Sequence, residues 1–241
     1  MPRRQVRRAY TAYKKVVYQV AVKREIITTE DGSVTIFLPE MNETYHSKFG
    51  AIQEAYHVFI QNGLAITEGK TISILEIGFG TGLNAFITFL ESQKNRQQIY
   101  YTGVEAYPVM PEHASQLNYV RQLQAQEYAD TFNTMHNTNW GKDIALADNF
   151  VLNKRNQRFE DINDSDKYDL IYFDAFGYPS QPDLWSEAIF KKMHTALKPN
   201  GILVTYACRT VIKKAMIAAG FDTQKLPGPP GKREMLRAFK F

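Results

Sequence analysis

A turn of three glycines between an apolar strand and a helix constrains this chain more than any other feature. The segment reads Ile74-Leu75-Glu76-Ile77-Gly78-Phe79-Gly80-Thr81-Gly82-Leu83-Asn84. Ile72–Ile77 has the apolar run of a short buried strand, and the residues up to about Ser92 read as a helix. Glycines 78, 80 and 82 allow a sharp reversal and leave bare backbone for a ligand to approach. A helix beginning near Thr81 directs free N–H groups toward the carboxyl ends of the strands, where open α/β sheets bind their ligands. The turn lacks the Gly-Lys-Ser/Thr ending of a nucleoside-triphosphate loop. Its third glycine follows the second by two residues, whereas a dinucleotide fingerprint needs three.

Two carboxylates narrow the ligand further. Glu76, just ahead of the turn, repels a pyrophosphate but attracts the ammonium of an amino-acid-bearing ligand. Glu105 ends the next expected strand, Ile99–Glu105, where a carboxylate accepts both hydroxyls of a ribose. The combination favours S-adenosylmethionine over NAD or ATP. Its expected contacts are Glu76, Gly78, Phe79, Gly80, Thr81, Gly82, Asn84 and Glu105. A tight turn whose carboxylates merely face water has the same local sequence, and only the surrounding β/α order argues against it.

That order starts after Gly69. A second helix is expected over Pro111–Gln126, a short strand at Phe150–Asn153 and a strong buried strand at Tyr168–Asp174. A helix over Asp183–Leu197, a strand at Gly201–Tyr206 and a helix over Val211–Ala219 follow. The final strands, Phe221–Leu226 and Glu234–Phe241, are joined by a Pro/Gly-rich loop. The pattern predicts an α/β fold, a doubly wound, mainly parallel sheet of seven strands closed by an antiparallel pair. Residues 66–241 form this domain. Residues 1–65 read as an N-terminal extension packed on it, with strand-like Val16–Val22, a β-hairpin about Asp31-Gly32 and a helix from Ala51 to Asn62 ended by Gly63.

Asp174 closes a strand whose end opens onto the ligand crevice, so it is the candidate for orienting an acceptor amine and for touching the donor as well. Phe176 and Tyr178 are candidate walls of the acceptor pocket. Trp185 reads more naturally as packing. In the loop Gly228-Pro229-Pro230-Gly231, the following Lys232 and Arg233, with Arg237, can meet phosphate, although a basic hairpin on any surface has the same sequence. The 29 Lys+Arg against 25 Asp+Glu give a net charge of +4, which permits a phosphate-rich partner without requiring one. Tyr45-His46-Ser47 and Glu54-His57 suggest a metal site only superficially, since the five histidines form no metal-ligand spacing; no metal is expected. The lone Cys208 excludes an intrachain disulfide and reads as a small apolar residue. No apolar run is long enough for a bilayer and no secretory signal is evident, so the expected setting is the cytoplasm, away from membranes.

Glu76–Asn84, Asp174-Ala175-Phe176 and Gly228-Pro229-Pro230-Gly231-Lys232-Arg233-Glu234-Met235-Leu236 occur in an order that resembles one family. It is the methyltransferase domain of the bifunctional tRNA 5-methylaminomethyl-2-thiouridine biosynthesis proteins, MnmC, and above all its stand-alone relatives. The resemblance runs from about Asp31 to the C-terminus, and Tyr45-His46-Ser47 and Gly50 through Glu54 share in it. It implies a class I S-adenosylmethionine-dependent methyltransferase acting on the exocyclic amine of 5-aminomethyl-2-thiouridine at the tRNA wobble position. The anticodon stem-loop is then the partner, contacted by Lys232, Arg233, Arg237 and the basic N-terminal arm. Glu76, Gly78 and Gly80 become the methionine side, Glu105 the ribose ligand, Asp174 the acceptor-side carboxylate, and Glu160 or Asp161 the adenine contact. The chain ends at Phe241 with no FAD-dependent oxidase half, so no FAD is expected and a separate enzyme is expected to supply the aminomethyl base. Two alternatives stand beside this: a methyltransferase of the same fold acting on another RNA or a small amine, and a non-enzymatic nucleic-acid-binding protein.

Overall fold

The N-terminal hairpin forms where Ile26 and Ile36 face each other across an Asp-Gly turn. In the computed structural model, which describes residues 23–241, β1 (Glu25–Thr28), β2 (Val34–Leu38) and the short β3 (Glu43–Thr44) make an antiparallel sheet. The Val16–Val22 strand and the basic arm lie outside the described residues. Asp31 does two jobs at the hairpin turn. Its Oδ1 accepts from the Ser33 amide at 3.0 Å, and its Oδ2 accepts from the Ile52 and Gln53 amides at 3.0 and 3.1 Å. Those amides belong to the first turn of α1 (Ala51–Ala55), which has no cap of its own, so the turn residue caps the helix from a distance. Burial pushes the Asp31 carboxyl upward, and the bonds from Ser33, Thr29 and Gln53 outweigh it and hold it below its ordinary range.

The expected Ala51–Asn62 helix is α-helical only to Ala55 and widens to a π-helical stretch over Tyr56–Gln61. The widening lets the consecutive residues Val58, Phe59 and Ile60 all be buried, with the Phe59 ring 4.9 Å from that of Tyr172.

Beyond it the chain alternates as the sequence predicts: β4 (Thr71–Ile77), α2 (Leu83–Asn95), β5 (Gln98–Val104), then α3 (Pro111–Ala114), α4 (Tyr119–Gln122) and α5 (Ala129–Asn137). β6 (Asp143–Ala147), β7 (Phe150–Arg155), β8 (Tyr168–Phe173), α6 (Glu187–Ala196), β9 (Leu197–Thr205), α7 (Thr210–Ala218), β10 (Asp222–Pro227) and β11 (Glu234–Phe239) follow. The sheet has eight strands in the order β10-β11-β9-β8-β4-β5-β7-β6. The central five are parallel, and β11 and β10 close one edge antiparallel. One strand more than expected lies on the other edge, where β6 folds back on β7. Its residues are only half-buried or exposed, and its five-residue run is too short to stand out beside the fully buried inner strands.

Side chains alternate across the inner strands. Ile74, Leu170 and Tyr172 enter one core with Phe59, Phe86 and Phe89, and Leu75, Ile77, Ile171 and Phe173 enter the other with Trp185, Phe190 and Met216. Trp185 is buried and donates its indole N–H to the Phe176 carbonyl at 2.8 Å, a packing role.

The single helix expected over Pro111–Gln126 is broken. Asn118 donates to the Gly32 carbonyl and accepts from the Val34 amide at 3.0 and 2.9 Å, and Gln122 donates to Gly32 at 2.8 Å. Docking on the hairpin diverts the backbone between α3 and α4 while Leu117 and Tyr119 go into the core.

Candidate functional site

β4 and β5 run parallel with Ile77 beside Val104, so the glycine turn after one meets Glu105 after the other. The amides of Gly78 and Phe79 both donate to the Val104 carbonyl at 3.0 Å, and Gly80 donates to Glu105 Oε2 at 3.1 Å. These donors are therefore engaged within the fold, and the turn offers a ligand bare Cα edge rather than free N–H groups. Gly78 sits at φ 91°, and a Cβ there would stand 2.5 Å from the Asp174 carbonyl, so only glycine lets the turn pass the end of β8. The helix starts at Leu83, two residues later than expected, after Gly82 at φ 72°.

Glu105 is fixed at both oxygens, with Oε1 accepting from the Tyr107 amide at 2.8 Å. Burial raises its pKa, and the two amides and Arg24 pull it back. Glu105 faces a cleft whose walls include Gly78, Gly80, Tyr45, Phe159, Glu160 and Asp174. At the inner end, one Asn84 amide group donates to Glu76 Oε1 at 3.0 Å and to Asp174 Oδ2 at 2.8 Å. Glu76 is fully buried. Burial, and then the charge of Asp174, push its pKa well above the usual carboxylate range, against the bonds from Asn84 and Tyr101. Asp174 is pushed up to about 7 by burial and by Glu54, against the bond from Asn84 and the charge of Lys232. A carboxyl tuned this close to neutrality can hold or release a proton at physiological pH.

A second pocket adjoins the cleft and shares Tyr45, His46, Asp174 and Phe176 with it. Glu43, Glu54, Tyr206 and Lys232 complete its walls. The Tyr45 and Phe176 rings meet edge-on at 5.1 Å. Lys232 pairs with the buried Glu54 and lies 4.0 Å over the Tyr206 ring, and Glu54 also accepts from the Ser47 amide at 3.0 Å. Tyr206 donates its hydroxyl to the Ala175 carbonyl at 2.8 Å. His46 Nε2 is 2.6 Å from Thr81 Oγ1. Burial, and then Lys232, lower its pKa to about 4, so the ring is neutral.

Of the residues expected at the site, Gly78, Gly80, Glu105, Glu160, Asp174 and Phe176 line the cleft, with Glu76 and Asn84 directly behind it. Several others go elsewhere. Phe79 turns into the core, packed on Gly103 and edge-on to Trp140. Thr81 is buried beneath His46 and Tyr119. Gly82 lies against His136 and Phe79, and Asp161 stays off the cleft walls. Glu160 reaches the cleft but is half-exposed and paired with Arg158 at 3.0 Å. Tyr178 lies in a neighbouring cavity with Arg233. Arg237 lies on β11, donating to Gln224 at 2.8 Å. Lys232, expected on a phosphate, is engaged inside the second pocket. Tyr45, His46, Glu54 and Tyr206 were missed. The first three stand in segments that share in the family resemblance but whose own chemistry invited only a metal reading, and Tyr206 had no local signal at all. Among the described residues no group of three or more His, Cys, Asp or Glu is placed for a metal ion, and no helix is long and apolar enough to cross a membrane.

The strand order and the crevice at the strands' carboxyl ends are those of the class I S-adenosylmethionine-dependent methyltransferase fold. Residues 115–241, more than half of the chain, match the family model described as S-adenosyl-L-methionine-dependent methyltransferase, and the chain belongs to that family. It is an enzyme that uses S-adenosylmethionine, which removes the non-enzymatic reading. It is related to the MnmC proteins. It is 27% identical over 228 residues to the tRNA 5-methylaminomethyl-2-thiouridine biosynthesis bifunctional protein MnmC of Cupriavidus metallidurans, covering 88% of this chain and 33% of that one. The corresponding protein of Aromatoleum aromaticum is 30% identical over 225 residues, covering 87% and 34%. The chain thus spans about a third of the length of the curated relatives it matches. The crystal structure of MnmC2 from Aquifex aeolicus superposes with a TM-score of 0.69 at 21% identity, covering 91% of this chain and 71% of that one. Spermidine synthase from Thermotoga maritima gives 0.57 at 13%, covering 92% and 70%. At these identities the two structures show a common fold.

Proposed function

We propose that the protein acts like the stand-alone MnmC methylases and transfers the methyl group of S-adenosylmethionine to the exocyclic amine of 5-aminomethyl-2-thiouridine at the tRNA wobble position. The observation that carries this reading is the second pocket. It contains three carboxylates and several aromatic residues, and it meets the donor cleft at Asp174. Such a pocket suits a planar base bearing a basic amine.

The cleft fits the donor on two counts. Glu76, buried directly behind the cleft wall and joined through Asn84 to Asp174, adds negative potential to the end of the cleft where Asp174 stands. Glu105 is held by two backbone amides with its remaining lone pairs free for ribose hydroxyls. In this reading Gly78 and Gly80 flank the methionine side, while Phe159 and Leu184, with Glu160 at the rim, face the adenine. Bound there, S-adenosylmethionine supplies an electrophilic methyl group.

The chain's own residues then orient the amine and move its proton. The amine must be neutral to attack, and an isolated carboxylate would favour the ammonium form. Two features oppose that. Asp174, near 7, takes up the proton at neutral pH, and the fixed ammonium of Lys232 disfavours a second cation beside it. Replacing Lys232 with Met is therefore expected to move the rising limb of the kcat–pH profile about one unit to higher pH, and Lys232→Arg to restore it. A profile that stays in place while activity falls would make Lys232 purely structural.

The acidity of the second pocket also favours one other acceptor, a small free amine. The deciding experiment incubates protein and labelled donor with aminomethyl-bearing tRNA, unmodified tRNA or small diamines, followed by mass spectrometry of the nucleosides. Label in the methylaminomethyl nucleoside alone supports the proposal, and label only in the diamine overturns it. An upstream reaction must already have installed the primary amine, at an active centre other than this cleft.

A further inference from the structure

Next to the second pocket lies a cavity of about 390 Å³ between the Tyr178-Pro179 turn and the Lys232-Arg233 loop. Gly177, Tyr206 and Lys232 are walls of both, so the two spaces adjoin along these residues. Its chemistry differs sharply from that of its neighbour. The second pocket contains three carboxylates, Glu43, Glu54 and Asp174. The outer cavity contains one, Glu234, whose charge is taken by Lys225 at 2.8 Å. The side chains of Arg209 and Arg233, both exposed residues, make no hydrogen bond or ion pair among the described residues. Lys213 and Lys214 follow Arg209 on the first turn of α7, a turn with no acidic residue. Tyr178 is half-buried and is one of the residues lining the cavity.

We infer that this cavity is a subsite for the nucleotide adjoining the methylated one, with Arg209 and Arg233 receiving its phosphates and Tyr178 stacking on its base. The inference rests on the proposed RNA acceptor. A base drawn into the acidic pocket leaves its own phosphates outside, since three carboxylates repel them. The strand leaving the pocket over the shared Gly177, Tyr206 and Lys232 edge enters the outer cavity, where two unpaired guanidinium groups and a tyrosine meet it. Guanidinium groups bind phosphate with paired donors, and aromatic rings accept any base by stacking. Tyr178 was expected to hold the reacting base. Its place one cavity further out assigns it to a neighbour instead.

The test is the double variant Arg209→Ala/Arg233→Ala, whose side chains hold no part of the fold. Methyl transfer is measured on aminomethyl-bearing anticodon stem-loop RNA and on the free 5-aminomethyl nucleoside. On the RNA, KM is expected to rise about tenfold and its log–log salt slope to fall by between one and two, the loss of two phosphate contacts. On the nucleoside, kcat/KM is expected to be unchanged. Unchanged KM and salt slope on the RNA overturn the subsite, as does an equal loss on the nucleoside. Binding of the same stem-loop, followed by fluorescence anisotropy, separates this from the acceptor assignment. If wild type methylates neither substrate but the variant still loses RNA affinity and salt slope, the subsite stands and the amine acceptor falls. If RNA affinity is the same in both proteins, the subsite falls.

Discussion

Replacing Asp174 with Asn is expected to slow methyl transfer by a factor on the order of 10²–10⁴ and, at the same time, to make the protein harder to unfold. The two effects have one cause. Asp174 is held at about 7 because its carboxylate is buried near Glu54, with only the Asn84 amide and the more distant Lys232 to offset the cost. Its folded pKa lies above the ordinary 3.8, so the folded protein binds more protons than the unfolded chain between those values. Stability contributed by this group is greatest below about pH 4, falls as pH rises toward 7, and stays at its low value above that. Asn has the same shape, can accept the Asn84 hydrogen bond through its carbonyl, and carries no charge. At pH 8 it is expected to add roughly 1–3 kcal/mol, or several degrees in Tm, and the gain should vanish as pH approaches 4. Donor affinity should change by less than about tenfold, because Glu76 and Glu105 remain. Thermal denaturation across pH, beside single-turnover methylation, checks both halves. A variant that is inactive but no more stable at pH 8 than at pH 4 would mean that Asp174 is not the strained carboxyl the geometry makes it.

How much of this was legible in the sequence depends on how locally each feature is determined. β4, β5 and β8 are buried on both faces, so their apolar runs announce them, and the glycine turn announces the crevice. The break within Pro111–Gln126 was not legible, because its cause is a side chain reaching 86 residues back to Gly32. Lys232 shows the same limit at the site. Its basic, Pro/Gly-rich surroundings suit a phosphate contact on an exposed hairpin, but its partner Glu54 is 178 residues away in sequence. Once that pair forms, the lysine is engaged within the second pocket, and the phosphate contact is proposed for Arg233, whose side chain is unpaired. The glycine turn itself was read correctly for position and only partly for chemistry. Adjacent parallel strands bring the Val104 carbonyl and Glu105 to its amides, and a sequence shows no such pairing.

Glu76 is a second carboxyl whose charge is disfavoured by burial and then by Asp174, against bonds from Asn84 and Tyr101. The balance raises its pKa well above the usual carboxylate range, which favours its protonated form in the unliganded protein. A bound cation reverses that balance, since attraction at short range in a dry site exceeds the cost of ionising the group. Donor binding should therefore release close to one proton at neutral pH, measurable by calorimetry in two buffers of different ionisation enthalpy. Glu76→Gln preserves the shape and can keep the Asn84 bond through its carbonyl, but it cannot ionise. It is expected to weaken donor binding about a hundredfold, or roughly 2–4 kcal/mol, to lose most of the proton release, and to leave folding intact. Wild-type affinity should rise with pH until Glu76 ionises without help, while that of the variant should be much flatter. If the variant binds the donor as tightly as wild type and releases the same proton, Glu76 serves only to hold Asn84 against Asp174, and the cation must be held by Asp174 alone.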